Sequence, residues 1–468
     1  MCALDDYRWL VGADAARWLA RAQSDPGSTL AVAERLRREL PRERVHLILQ
    51  QVELRRRARE KFSRADVLFF TRRGLEQATD EWIAGYKATR FPAAVPLADL
   101  CCGIGGDAHA LAQRGALEAV DRDEIVALLA EANLRLIAAS TPGASAGQHA
   151  ADDDSAGDHS AGEHAVSEHS AGEHAVSEHA AGEHAADVGG GLPDGIAHAS
   201  PHKSTHASQI ESARALARVQ ARDVEQFDLG SFAAWHIDPD RRPGGHRTTD
   251  VERHDPPAAV LDRLLDSNPH GAIKLAPAAQ CPESWVERCQ REWISRRGEC
   301  RQQVAWFGCL AECPGTCRAT VLDPTGQVLR TIVDVPTAPP PPTSRVGRYV
   351  FEPDSAVLAA GLAAHLARRH RLIPLTPRGG LLTGDEPVAD EALVAFAVDD
   401  VLPLDRGRLR TYVRTRGIGR LEIKTRGVPH DPATLERTLR GRGSASATLL
   451  LYRGEQGAQA VFARRLST

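Results

Sequence analysis

Apolar positions recur at three- and four-residue steps through residues 1–92, which predicts helices over Tyr7–Ala22, Leu30–Leu40 and Arg42–Arg59. The period changes at Pro96. A short apolar run, Pro96–Leu100, gives way to Gly103, Gly105 and Gly106 and then to Ala-rich sequence, the pattern of strand, tight turn and helix. A second strand closes at Asp121, and Glu124–Ile137 reads as a strongly amphipathic helix. Strand patterns return at Ala217–Asp223, Ala233–Asp238 and Gly271–Leu275; residues 284–324 predict a helix and then two strands, Gln302–Phe307 and Arg318–Leu322, as a terminal hairpin. Alternating strands and helices imply an α/β fold with a Rossmann-like parallel sheet over 93–334, preceded by a helical cap over 1–92. The run Val335–Ser344, VPTAPPPPTS, is a polyproline linker. It leads to a C-terminal α+β domain, 345–468, with helices predicted over Asp354–Arg371 and Asp431–Leu439 and strands over Ala447–Tyr452 and Ala458–Ala463.

One stretch has no such pattern. From 139 to 208 the chain degenerates into SAGEHAVSEH repeats of ten-residue period, with almost no large apolar side chain. Such a composition cannot bury enough surface to offset the entropy of ordering, so a disordered His/Glu/Ala/Gly/Ser insertion is expected. Ten of the nineteen histidines lie here, at 149, 159, 164, 169, 174, 179, 184, 198, 202 and 206. Their five-residue spacing on an unstructured chain does not preorganise a metal site, and a solvated spacer is the favoured reading.

The 468 residues are enough for two or three domains, no apolar run approaches membrane-span length, and the N-terminus lacks the basic-then-apolar order of a signal peptide. The expectation is a cytoplasmic protein with mostly free thiols among its nine cysteines. The formal charge of −4 hides a mildly basic remainder, because residues 140–207 hold eleven acids and one base, leaving 57 Lys/Arg against 51 Asp/Glu elsewhere. That balance admits a nucleic-acid partner.

The candidate chemistry begins at the glycine turn. Glycines at the start of a helix let the backbone approach a ligand, and an acid closing the second strand can bond ribose hydroxyls. Asp99, at the end of the first strand, repels a dinucleotide pyrophosphate but suits a sulfonium and an ammonium group. The stretch Asp99-Leu-Cys-Cys-Gly103-Ile-Gly105-Gly106-Asp107, with Asp121, resembles the first two motifs of class I S-adenosylmethionine (SAM)-dependent methyltransferases. The resemblance implies SAM as cofactor, held by Asp99, Cys101, Gly103, Gly105, Gly106, Asp107, Asp121 and Arg122, with Asp223 at the end of the third strand meeting the adenine amine. No metal is implied.

The fourth strand delivers Asp238-Pro239-Asp240-Arg241 to the carboxyl edge of the sheet. This is similar to the Asp/Asn-Pro-Pro-aromatic motif of amine methyltransferases, whose acid or amide accepts bonds from the target amine while the aromatic stacks on the base. Here the second proline is Asp240 and the aromatic is Arg241. Asp238 is therefore the expected principal catalytic residue, with Pro239, Asp240 and Arg241 assisting. Cys281, after the fifth strand, keeps open a cysteine nucleophile of the pyrimidine-C5 type. Cys309, Cys313 and Cys317 recur without a CxxC pair or a histidine, and read as incidental.

The passage Glu60–Ala84 resembles the extension that precedes the SAM loop of trimethylguanosine synthases, and its Phe62, Phe69 and Phe70 either stack on a base or pack the cap on the sheet. The C-terminal segment, with Leu421-Glu-Ile-Lys-Thr-Arg-Gly-Val428, resembles a THUMP-like domain; true THUMP domains bind structured RNA. The run 406–426 carries eight basic residues against one acid, and Arg406, Arg408, Arg410, Arg414, Arg416, Arg420, Lys424 and Arg426 form its candidate RNA-binding set. The expected activity is methyl transfer to a base nitrogen of structured RNA, tRNA or rRNA. The alternatives are a protein or small-molecule acceptor, or a SAM-binding RNA adaptor without catalysis. No membrane partner is expected, and nothing in the sequence indicates an oligomeric state.

Overall fold

A computed structural model describes residues 3–139, 217–242, 246, 248–455 and 457–466. The expected disordered insertion lies, apart from Ala139, outside the described residues.

Six helices build the cap: α1 (Ala3–Val11), α2 (Ala13–Ser24), α3 (Thr29–Leu36), α4 (Arg42–Ala58), α5 (Arg72–Gln77) and α6 (Glu81–Ala88). The pattern read as one helix over Tyr7–Ala22 is two, because Gly12 is extended at φ −81°, ψ 167° and starts α2 afresh. Side chains of Ser28, Thr71 and Asp80 accept from backbone N–H groups in the first turns of α3, α5 and α6. Phe62, Phe69 and Phe70 are all buried, which settles them as packing residues. Between α4 and α5 the backbone is irregular, and side chains take its bonds. Gln51 exchanges two bonds with Phe70, at 2.6 and 3.0 Å, and Arg55 donates to the carbonyls of Val67 and Leu68 at 2.9 Å.

Among the described residues the larger sheet has nine strands: β1 (Leu97–Leu100), β2 (Leu117–Asp121), β3 (Ala217–Ala221), β4 (Ala234–Ile237), β5 (Gly271–Leu275), β6 (Cys289–Arg296), β7 (Glu299–Phe307), β8 (Cys317–Leu322) and β9 (Val328–Asp334). Their order is β3-β2-β1-β4-β5-β7-β6-β8-β9. The first five run parallel, and β7 enters antiparallel between β5 and β6. Helices α7 (Ala108–Leu111), α8 (Glu124–Ala138), α9 (Ala258–Ser267) and α10 (Glu283–Val286) accompany the strands. The order switches direction between β1 and β4, so the carboxyl ends of these strands open a crevice.

The terminal hairpin departs from expectation. It is formed by β6 and β7, and Arg318–Leu322 belongs to β8, which runs parallel to β6 and extends the sheet. Strand β6 escaped the hydrophobic pattern because it buries polar groups: Gln290, Glu292, Ser295 and Arg296. Glu292 alone accepts from Tyr86 at 2.5 Å, Trp306 at 2.8 Å and Thr320 at 2.5 Å and pairs with Arg90 at 3.2 Å, which satisfies a carboxylate with no exposed surface.

The C-terminal domain holds β10 (Tyr349–Pro353), α11 (Ser355–Ala359), α12 (Ala363–His370), β11 (Ile373–Pro374), β12 (Leu382–Gly384), β13 (Leu393–Pro403), α13 (Arg406–Thr415), β14 (Ile418–Arg426), α14 (Pro432–Leu439), β15 (Ala445–Gly454) and β16 (Gly457–Arg465). The helix expected over Asp354–Arg371 breaks into α11 and α12 at Gly361, φ +71°. Its seven strands follow the order β11-β12-β10-β13-β16-β15-β14. The proline segment does not separate independent bodies, for Trp293, Val321 and Ile332 of the nine-stranded sheet share one core with Phe351, Val357, Leu366 and Leu393. Bonds of 2.6 Å from Ser295 to Asp354 and of 2.8 Å between His365 Nδ1 and Asp334 Oδ2 cross the same boundary.

Candidate functional site

A cavity of about 540 Å³ opens at the switch between β1 and β4. Cys101, Gly103, Gly106, Asp107, Asp121, Arg122, Asp223 and the whole Asp238–Arg241 segment line it. From the cap come Tyr7, Thr71, Arg73, Gln77 and Thr79.

The loop after β1 is bent sharply, with Cys101 at φ +54° and Gly103 at φ +55°. Asp121 holds it, accepting from the Gly103 N–H at 3.0 Å and from the Asp123 N–H at 3.0 Å. Burial pushes the Asp121 carboxyl up, and these two N–H groups pull it back toward ionisation. Asn133 of α8 binds the loop to the cap: it donates to the carbonyls of Ile104 and Phe69 at 3.0 Å and accepts from the Phe69 N–H at 2.8 Å. Asp223 lines the wall and caps the following turn by accepting from Glu225 N–H at 2.9 Å. Arg122 lines it too, paired with Asp255 at 2.7 Å. Burial and the surrounding carboxylates raise the Cys101 thiol well above its usual range, so it stays a neutral part of the wall.

Two expected cofactor residues sit elsewhere. Asp99 is wholly buried and turned away from the cavity, its Oδ1 2.7 Å from His236 Nδ1. A carboxylate at that strand position faces β4, which here supplies an imidazole. Gly105, at φ +88°, packs against Ala130 of α8 and is not part of the wall. Both act on the loop from behind.

Behind the wall runs a buried polar chain. His236 Nε2 stands 3.1 Å from Lys87 Nζ, and Lys87 pairs with Asp107 Oδ1 at 2.6 Å while Thr79 donates to Asp107 Oδ2 at 2.6 Å. An ammonium only donates, so His236 accepts at Nε2 and its Nδ1–H faces Asp99. Burial alone would raise the Asp107 carboxyl, but Lys87 foremost, with Lys274, outweighs it and holds the group well below the usual carboxylate range. Burial lowers Lys87 and raises Asp99 against the pull of His236.

At the other edge Asp238 pairs through Oδ2 with Lys274 Nζ at 2.5 Å, leaving Oδ1 without a protein donor among the described residues. Asp240 is clasped by Arg73 and by Gln77, the latter donating at 2.7 Å, and Arg242 pairs with Glu76 at 2.9 Å. Helix α5 thus fixes the Asp-Pro-Asp-Arg segment. Cys281 does not line the cavity; its Sγ lies 4.0 Å from Cys289 Sγ. The nucleophile reading of that cysteine is accordingly set aside.

Tyr7, Arg73, Gln77, Lys87, Asn133, His236 and Lys274 were not singled out from sequence as site residues. A lysine inside the buried strand GAIKL and a histidine inside AWHI carried a signal, since such groups need partners. Tyr7 is the one aromatic residue among the described cavity-lining residues, on an element 55 positions before the phenylalanines first considered.

In the C-terminal domain Arg406, Arg408, Arg410, Arg414, Arg416 and Arg420 are exposed. Lys424 and Arg426 are corrected out of the set: both pair with the buried Glu352, Lys424 at 2.5 Å, and so serve the sheet. Tyr412 stacks on Phe462 at 4.2 Å and belongs to the core.

The strand order of the first seven strands, the glycine loop and the acid at the end of β2 define a class I methyltransferase fold. The comparisons agree. The chain is 33% identical over 222 residues to an uncharacterized S-adenosylmethionine-dependent methyltransferase of Mycobacterium tuberculosis, in strains CDC 1551 and H37Rv; the match covers 46% of this chain and 59% of the relative. The chain thus spans less than two thirds of the length of the curated relatives it matches. The crystal structure of a candidate methyltransferase from Porphyromonas gingivalis W83 superposes with a TM-score of 0.65 at 16% identity, covering 99% of this chain and 98% of that one. Residues 393–465 match the THUMP domain-like family, and residues 3–58 match a domain of unknown function, DUF8688. The chain thus has the class I methyltransferase fold, followed by a C-terminal region that matches the THUMP domain-like family. No described helix is long and apolar enough to cross a membrane.

Proposed function

We propose that the protein is a cytoplasmic SAM-dependent methyltransferase that modifies a base nitrogen of structured RNA. The observation carrying this reading is one cavity that joins the glycine loop, with Asp121 and Asp223, to the Asp238 edge. SAM supplies an electrophilic methyl on a sulfonium, an excellent leaving group. Carboxylates at Asp107, Asp121 and Asp223 suit its positive charges, its ribose and its adenine amine in turn, and the turned Gly103–Gly106 backbone leaves room for it.

The chain's own residues then have to align an amine. Asp238 Oδ1 and the Pro239 carbonyl can accept its two hydrogens and leave the lone pair directed inward. Lys274 neutralises Asp238 and fixes its rotamer, so the carboxylate orients an uncharged nucleophile without repelling an RNA backbone. Arg73 and Gln77 hold Asp240, which keeps the segment at the cavity rim. The THUMP-like domain and its exposed arginines support RNA as the class of acceptor.

The test is methyl transfer from labelled SAM to total RNA of cells lacking the protein. Label in RNA with the wild type and none with Asp238→Ala supports the reading. No label, with calorimetric SAM binding intact in the wild type and lost in Asp121→Ala, refutes the RNA acceptor and leaves protein or small-molecule acceptors.

A further inference from the structure

We propose that two crossing arginine–glycine loops at one end of the C-terminal sheet form the docking site for the phosphodiester backbone of the RNA. This rests on the RNA reading above and deepens it, because it moves the contact from the 406–426 run to a small set that includes Arg440 and Arg442.

The segments are Arg416-Gly-Ile-Gly-Arg420, which runs from the end of α13 into the start of β14, and Arg440-Gly-Arg-Gly443, between α14 and β15. β14 and β15 run parallel and start side by side, Ile418 opposite Ala445, so both helices deliver their last turns to one end of the sheet. There the backbones touch. A Cβ on Gly419 would stand 1.7 Å from the Gly443 carbonyl oxygen, one on Gly443 1.7 Å from the Gly417 oxygen, and one on Gly441 2.0 Å from the Ile418 oxygen. No side chain fits at those three positions. Arg420, Arg440 and Arg442 adjoin these glycines, and the glycine contacts make their side chains leave the backbone from one place.

Arg414, Arg416, Arg420, Arg440 and Arg442 are all exposed, and none has a carboxylate within ion-pair distance among the described residues. Arginines of this domain that serve the fold look different: Arg345 and Arg348 pair with Asp385 and Glu386, Arg464 with Asp399 and Arg426 with Glu352. Two helix C-termini attract one or two cations. The Arg416 guanidinium stands over the Tyr412 ring, 5.3 Å from its centroid; the other four, with no carboxylate partner at a crossing closed to side chains, exceed that need, and planar forks of fixed charge match successive phosphates. Helices α13 and α14 pack on one face of this sheet around Leu409, Val413, Leu435 and Leu439, so the platform is rigid.

The experiment uses the whole chain and fluorescein-labelled bulk tRNA, with affinity read by anisotropy between about 50 and 200 mM salt. Losing two phosphate contacts in Arg420→Gln/Arg442→Gln should flatten the log–log salt slope by about 1.6 and weaken binding roughly 40-fold at 0.1 M salt. Arg345→Gln/Arg348→Gln, equally exposed but paired, should leave both unchanged. Wild-type binding with an unaltered slope in the first variant, or an equal loss in the second, overturns this site and leaves the RNA reading standing. No tRNA binding by the wild type even at low salt overturns both, as would retention of an acidic polypeptide instead. All four substitutions are on the surface, and unchanged thermal unfolding separates lost binding from lost fold.

Discussion

Lys87→Met tests whether the buried chain behind the cavity holds the glycine loop in place. Lys87 is about as buried as a charge can be, its side chain 2% exposed, and its partner Asp107 is 8% exposed at 2.6 Å. Removing the ammonium strands the Asp107 carboxylate and deprives His236 Nε2 of its donor. Breaking a buried pair from one side costs about 3–5 kcal/mol, whereas removing both charges is near neutral. At roughly 2–4 °C per kcal/mol for a unit of this size, Lys87→Met should lower the unfolding midpoint by about 10 °C. Lys87→Met/Asp107→Asn should recover most of it, since the asparagine oxygen still accepts from Thr79. Scanning fluorimetry gives the midpoints, and calorimetry with SAM shows whether the loop still binds. The sign with pH follows from Asp107, whose folded carboxyl is held below its unfolded value of about 3.9. Its stabilisation is complete above that value and lost as the pH falls through the folded one, so the gap between wild type and Asp107→Asn should narrow in acid. A cost below about 1 kcal/mol for Lys87→Met, or a double variant no better than the single, refutes the reasoning.

Asn133→Ala removes three bonds that tie the loop to the cap; a loss of about 2–4 kcal/mol in thermal unfolding is expected, with weaker calorimetric SAM binding. Lys61, which donates to the carbonyls of Leu75, Glu76 and Ala78, is lowered to about 8, chiefly by burial. Between pH 8 and about 10.5 the unfolded chain binds the extra proton, so this group's contribution to stability rises with pH there. Denaturant titrations should show that rise in the wild type and not in Lys61→Met. Tyr7→Ala should weaken binding of SAM or of the acceptor by about tenfold with little change in thermal unfolding, the signature of a contact worth about 1–2 kcal/mol.

The cavity-bearing half was legible where chemistry sits next to its own structural cause. The turn Gly103–Gly106, the acid Asp121 after an apolar strand, and Asp238 at a strand end are local patterns, and the structure brings them to one cavity. Asp99 was legible as unusual and assigned to the wrong neighbour, because only the pairing of β1 with β4 puts His236 opposite it. Lys87, Lys274 and Tyr7 reach the site from separate elements, so no local spacing announces them. Strand β6 was hidden by Glu292 and Arg296, polar residues whose partners on α6, β7 and β8 lie far along the chain. Likewise Lys424 and Arg426 look like part of a basic run until Glu352, some seventy residues earlier, claims them.

The most direct test of the central claim is to digest RNA labelled by the wild-type protein and identify the methylated nucleoside by mass spectrometry. The account predicts a methyl group on a base nitrogen, absent when Asp238→Ala replaces the wild type. Label on a ribose hydroxyl or a pyrimidine carbon, or label confined to protein, would contradict it.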